Sequence, residues 1–117
     1  MRKDNMRKII EASGRRCYIC GDIIPETDCA TIDHVIPKSR DRFSDTYENM
    51  QCCCSRCNSD KKNMMPTEYI RHILRNRKQY DYLSDERIEH LKQEFADYQA
   101  HFAYQKRKKK GRRRGRR

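Results

Sequence analysis

Apolar residues are scarce in this 117-residue chain: they make up 35% of it, against 38% charged residues, and the mean hydropathy is −1.24. A chain of this length has room for one domain, and so little apolar material excludes a core that could stand without help. The folded part is therefore expected to be compact and supplemented, with the remainder helical or loose. No run approaches the roughly 20 apolar residues that cross a bilayer, which excludes a membrane-spanning helix. The N-terminal stretch MRKDNMRKII starts basic but lacks an apolar segment of signal length, so a soluble, intracellular protein with no membrane partner is expected. Internal repeats are also missing.

Acidic residues are missing from one place in particular. Residues 106–117 hold ten Lys or Arg and no Asp or Glu, so the net charge of +11 falls to +1 once those ten are set aside. A near-neutral body with a wholly basic end points to a polyanionic partner, most simply nucleic acid. Lys106, Arg107, Lys108, Lys109, Lys110, Arg112, Arg113 and Arg114 are the candidate phosphate contacts of this segment.

Cysteine is abundant, with seven in the chain. Thiols inside a cell stay mostly reduced, which favours metal ligation over disulfides. Cys17-Tyr18-Ile19-Cys20-Gly21 has the form of a knuckle, in which a tight turn aims two thiolates at one ion. Cys54-x-x-Cys57 supplies a second pair, and four thiolates make a closed tetrahedral site of the kind that holds structural Zn²⁺. Such an ion contributes roughly 10–16 kcal/mol in zinc-finger peptides, the help that a small core needs. Pairing of Cys53 with Cys57 is also conceivable, and strand alternation does not choose between the two. With Cys54 as ligand, Cys29, Cys52 and Cys53 are expected to be small buried hydrophobes.

The coarse pattern is α+β. A short helix is expected over residues 5–13, with Gly14 as its stop. Residues 30–35 read as a strand ending near Asp33-His34, residues 38–48 as a polar loop, and residues 50–53 as a second strand leading into a helix that starts near 55–58. Pro66 and Thr67 open a further helix to about residue 78, with Thr67 as N-cap and Ile70, Ile73 and Leu74 on one face. Ser84 caps a long helix on which Ile88, Leu91, Phe95, Tyr98 and Phe102 form one apolar stripe. That stripe is expected to dock on the cysteine-bearing unit rather than pair with a second copy. Three segments follow: a core at 1–66, helices packing on it at 67–105, and a basic tail at 106–117.

Of the four histidines, His34 alone sits beside a carboxylate at a strand end; His72, His90 and His101 fall on helices, where packing or surface roles are the default. The segments Ile32-Asp33-His34-Val35-Ile36-Pro37-Lys38-Ser39, Glu48-Asn49-Met50-Gln51 and Cys54-Ser55-Arg56-Cys57-Asn58-Ser59-Asp60-Lys61 together resemble the HNH endonuclease family. The resemblance runs from residue 17 to about residue 62. It implies a ββα-metal core in which Asp33 and Asn58 ligate a divalent ion and His34 is the general base. Where the family often has His at its final position, this chain has Asn58. Asn49 would be structural, holding the inter-strand loop and so helping to orient His34. Lys61, one helical turn beyond Asn58, and Lys38 are placed to touch phosphate.

The chemistry suits these residue types apart from any family. Phosphodiester hydrolysis needs a deprotonated water, charge neutralisation at phosphorus and support for the departing oxygen. Imidazole has the pKa for the first, and oxygen ligands suit Mg²⁺ or Mn²⁺ while thiolates suit Zn²⁺. The expected partner is DNA, most simply double-stranded. Two alternatives share these features: a noncatalytic zinc module that binds nucleic acid, and a subunit active only inside a larger nucleic-acid-processing complex.

Overall fold

The computed structural model describes residues 3–40 and 45–114, leaving aside the side chains of residues 3, 4, 105, 106 and 109–114. The order is α1 (Lys3–Ala12), β1 (Ala30–His34), β2 (Met50–Cys54), α2 (Ser55–Lys61), α3 (Pro66–Arg75) and α4 (Asp85–Arg114), with 3₁₀ turns at Tyr47–Asn49 and Arg77–Tyr80. This is an α+β fold with one two-stranded sheet, and β1-β2-α2 is its ββα unit.

β1 and β2 run antiparallel, pairing Ala30 with Cys54, Ile32 with Cys52, Asp33 with Gln51 and His34 with Met50. The sheet is too small to be stable alone, and α1 and α2 both pack against it. Between α1 and β1 the chain turns through Gly14 (φ +65°) and Arg15 (φ +59°). The Arg15 guanidinium donates to the carbonyls of Ile24, Pro25 and Asp28 at 2.9–3.1 Å, which adds to the backbone bridge between Arg16 and Ile23 in tying down this loop.

The N-cap of α3 falls two residues earlier than expected. Met65, not Thr67, is its N-cap, because Pro66 has its φ preset for the first helical position and no N–H to satisfy. The helix ends at Arg75 rather than near residue 78, where the Asn76 N–H turns back to the His72 and Ile73 carbonyls. Its buried face is Tyr69, Ile70 and Ile73, whereas Leu74 is 48% exposed. The aromatic ring at 69 fills the place expected for Leu74.

α4 begins as expected: the Ser84 hydroxyl accepts from the Arg87 N–H at 3.0 Å. Its stripe docks on the rest of the chain. Ile88, Leu91 and Phe95 are buried in the same core as Cys17, Ile19, Cys52 and Tyr69, and Tyr98 packs at its edge. Arg87 reaches across to donate to the carbonyls of Ile19 (2.8 Å) and Tyr18, and so fastens the helix to the knuckle. One core thus serves both the 1–66 and the 67–105 segments. The helix also continues through the basic run as far as Arg114, while residues 115–117 lie outside the described residues. Among the described residues, no helix is long and apolar enough to cross a membrane.

Leu91 has no exposed surface, so Leu91→Ala is expected to cost about 2–5 kcal/mol in urea denaturation. Leu74→Ala, on the exposed side of α3, is expected to stay within about 0.5 kcal/mol.

Candidate active site and metal centre

The two cysteine pairs converge. The Sγ atoms of Cys17, Cys20, Cys54 and Cys57 all lie within 4.8 Å of one another, close enough for a single ion. Local structure aims each pair. In the first, the Gly21 N–H returns to the Cys17 carbonyl and the Cys17 N–H to the Asp22 carbonyl, both at 2.9 Å, with Gly21 at φ +80°. The second sits where β2 becomes α2: Cys54 is the N-cap, its sulfur accepts from the Cys57 N–H at 3.4 Å, and the first helical turn brings the two thiols together.

Cys54 therefore belongs to the cluster, and Cys53 lies beside it, its sulfur 3.9 Å from that of Cys17. Thiol donation from Cys53 and Cys57 holds the Cys17 thiol far below its ordinary range. The same contacts, together with burial, push Cys53 and Cys57 up, and burial pushes Cys20 up to about 11. Four sulfurs this close together could hold a metal such as zinc. Cys52 and Cys53 are buried as expected, but Cys29 is exposed, because the loop before β1 carries it away from the core.

The second centre lies at the end of β1. Asp33, His34 and Asn58 line one cavity of about 270 Å³, together with Ile32, Pro37, Lys38, Ser39, Lys62 and Asn63. Asp33 is only 4% exposed. Its Oδ2 accepts from the Tyr18 hydroxyl and pairs with Lys61 Nζ at 3.2 Å, so both contacts leave Oδ1 to another partner. Burial pushes the Asp33 carboxyl above its ordinary range, and the attraction of Lys61 opposes that rise. The Asn58 amide nitrogen donates to Thr31 Oγ1 at 2.9 Å, which fixes the amide with its oxygen free of that bond. His34 Nε2 lies 3.1 Å from Asp45 Oδ1, and this hydrogen bond holds the Asp45 carboxyl below its usual range.

Asn49, 4% exposed, clasps the chain just past His34. Its side chain donates to the Ile36 carbonyl and accepts from the Ile36 N–H, both at 2.8 Å, and its own carbonyl accepts from the Val35 N–H at 2.9 Å.

Lys61 needs correction. It was expected to meet phosphate, yet it has no exposed surface, and Nζ is spent on Asp33 and on the His34 carbonyl at 3.2 Å. The helical period explains this, since Asn58 and Lys61 share the face of α2 that packs on β1. Lys62 lines the cavity instead; it caps α2 at φ +53° and is exposed. Lys38 also lines the cavity and is exposed.

Arg107 and Lys108 are exposed on α4, while the side chains of Lys106, Lys109, Lys110, Arg112, Arg113 and Arg114 lie outside the described residues. His72, His90 and His101 stay away from the cavity: His72 stacks edge-on against Tyr80, His90 pairs with Glu94 at 2.9 Å, and His101 lies 3.8 Å from Glu48. The residues that sequence reading missed are Asp45, Tyr18, Thr31 and Lys62. Of these only Lys62, next to Lys61 past the end of α2, left a trace that helix length could have revealed.

The ββα unit thus carries a four-thiol cluster that could hold a metal ion and, at the end of β1, a cavity lined by Asp33, His34 and Asn58. Residues 17–74 match the family model of the HNH endonucleases, a family of nucleases. The match extends past residue 62, through α2 and most of α3. No curated protein matches the chain.

Elemental analysis of the purified chain is expected to give one tightly held metal per molecule. Cys17→Ala or Cys57→Ala should lose it together with the folded state, because structural zinc supplies folding free energy. Cys29→Ala, outside the cluster, should leave the metal content unchanged.

Proposed function

We propose that the chain is a metal-dependent endonuclease that hydrolyses phosphodiester bonds of double-stranded DNA, with Zn²⁺ on Cys17, Cys20, Cys54 and Cys57 as a structural ion. One observation carries this reading: Asp33 and His34, adjacent on β1, and Asn58, on α2, line a single cavity inside the segment that matches the HNH endonucleases. The donor set fits a hard divalent ion. Asp33 offers Oδ1 and Asn58 its amide oxygen, while among the described residues no sulfur lines that cavity. Bound there, Mg²⁺ or Mn²⁺ would supply charge neutralisation at the phosphate and at the departing 3′ oxygen.

The chain's own groups supply the rest. The Asp45 carboxylate can only accept, so it keeps the ring proton of His34 on Nε2 and leaves the Nδ1 lone pair to take a proton from water. The hydroxide so formed attacks phosphorus, and the 3′ oxygen leaves. Asn49 fixes the backbone at Ile36, two residues beyond His34, which limits how far the ring can drift. Lys38 and Lys62 stand at the rim, where backbone phosphates would pass.

Supercoiled plasmid with Mg²⁺ or Mn²⁺ tests the reading. Nicking is expected, blocked by chelator, and His34→Ala should slow it by about 10²–10⁴ while DNA binding persists. No nicking with any divalent ion would overturn the assignment in favour of a noncatalytic module or a partner-dependent subunit.

The basic end of α4 has its own test. If six to ten cations meet phosphates, affinity should fall about 10³–10⁵-fold between about 50 and about 200 mM salt. Removing residues 106–117 should flatten that slope in fluorescence anisotropy titrations, and an unchanged slope would exclude this segment from the interface.

A further inference from the structure

Among the described residues, the cavity beside β1 and its immediate neighbours carry more positive than negative charge before any substrate arrives. Its carboxylates are Asp33, lining it, and Asp45, bound to His34 Nε2 and 3.5 Å from Lys38 Nζ. Three ammoniums stand against these two: Lys61, 3.2 Å from Asp33 Oδ2, with Lys38 and Lys62 at the rim. Asn58 is neutral, and neutral His34 adds nothing. A divalent cation settling at Asp33 and Asn58 therefore enters a neighbourhood whose negative charge is already matched. Lys61 matters most, because it is wholly buried and its field is screened far less than that of a surface lysine. The missing negative charge is what a phosphodiester carries.

We propose that Lys61, supported by Lys38 and Lys62, makes binding of the divalent ion and of nucleic-acid phosphate mutually dependent, so that the ion is held firmly only in the complex with substrate. The inference rests on the nuclease reading above and concerns the order in which its parts assemble. Lys61 is a positioning residue in this scheme. It fixes Asp33 through Oδ2 and serves as the counter-ion of that buried carboxylate until the divalent ion arrives. Linkage makes the effect reciprocal: the ion must strengthen nucleic-acid binding by the same factor as nucleic acid strengthens ion binding. An ion that merely screens phosphates does the opposite and weakens the complex.

The test uses the full, zinc-loaded chain carrying His34→Ala, so that duplex stays intact. Mn²⁺ affinity is read from the electron paramagnetic resonance signal of the free ion. Duplex affinity is read by fluorescence anisotropy at fixed ionic strength, with and without Mn²⁺. Mn²⁺ is expected to tighten duplex binding by about tenfold or more, and Lys61→Gln to strengthen Mn²⁺ binding by the free protein about tenfold while shrinking that coupling. Should Lys61→Gln not fold by circular dichroism, the exposed variants Lys38→Gln and Lys62→Gln decide, each expected to strengthen free-protein Mn²⁺ binding about two- to threefold.

Equal Mn²⁺ affinity with and without duplex, or no gain in any lysine variant, would overturn the coupling and leave the nuclease reading standing. Mn²⁺ that binds neither the free protein nor the complex would overturn both.

Discussion

Four sulfur atoms within 4.8 Å of one another set the frame on which the rest of this small protein is built. Two of them sit on the knuckle after α1 and two at the junction of β2 and α2, so an ion between them would join the start of the domain to its middle. Closing that distance holds the sheet in register, because Cys54 is both a cluster member and the partner of Ala30 across the strands. With the register fixed, Asp33 and His34 occupy set positions at the end of β1, and α2, starting at Ser55, must run back along it. Asn58 then falls beside Thr31, and the cavity follows from the cluster.

The contact of Lys61 with Asp33 is the costly part of this arrangement. Both groups are nearly excluded from water, and burying two charges loses several kcal/mol of hydration per ion before their attraction returns any of it. The protein offsets the loss with further bonds: the Tyr18 hydroxyl to the same carboxylate oxygen and the His34 carbonyl to the same ammonium. Stability alone gives little reason to keep such a pair, since a well-packed apolar substitute is often as good. In the proposed reading, the same pair sets a buried cation beside the carboxylate that is offered to a divalent ion.

Features set by local chemistry were legible in the chain alone. The two Cys-x-x-Cys pairs, the two short strands and the Ser84 cap each depend on residues a few positions apart, and each appeared where expected. The Asp33, His34 and Asn58 set was legible through its resemblance to a family, and the cavity brings the three together. Features set by tertiary contact were hidden. Asp45 lies eleven positions from His34 in a loop without periodicity, so nothing local marked it as a partner. Lys61 reads as a surface cation until α2 is placed on β1, and Leu74 reads as core until the neighbouring helix is seen to meet Tyr69, Ile70 and Ile73 instead. Cys29 reads as buried only if its loop follows the core, which it does not.

The docking of α4 bears on how the basic end of the chain is presented. Ile88, Leu91 and Phe95 anchor the first turns in the core, and Arg87 grips two knuckle carbonyls. Gln51 donates to the Tyr98 hydroxyl and the Gln99 side chain accepts from the Thr67 N–H, which ties the middle of the helix to β2 and α3. The 30-residue helix spans about 45 Å without a break, so the basic run begins on an element already fixed at several points along its length. Charges carried on an anchored helix lose less freedom on meeting phosphate than charges on a loose tail, and more of their attraction is kept as affinity. The same core that compensates for scarce apolar residues thereby orients the part of the chain richest in positive charge.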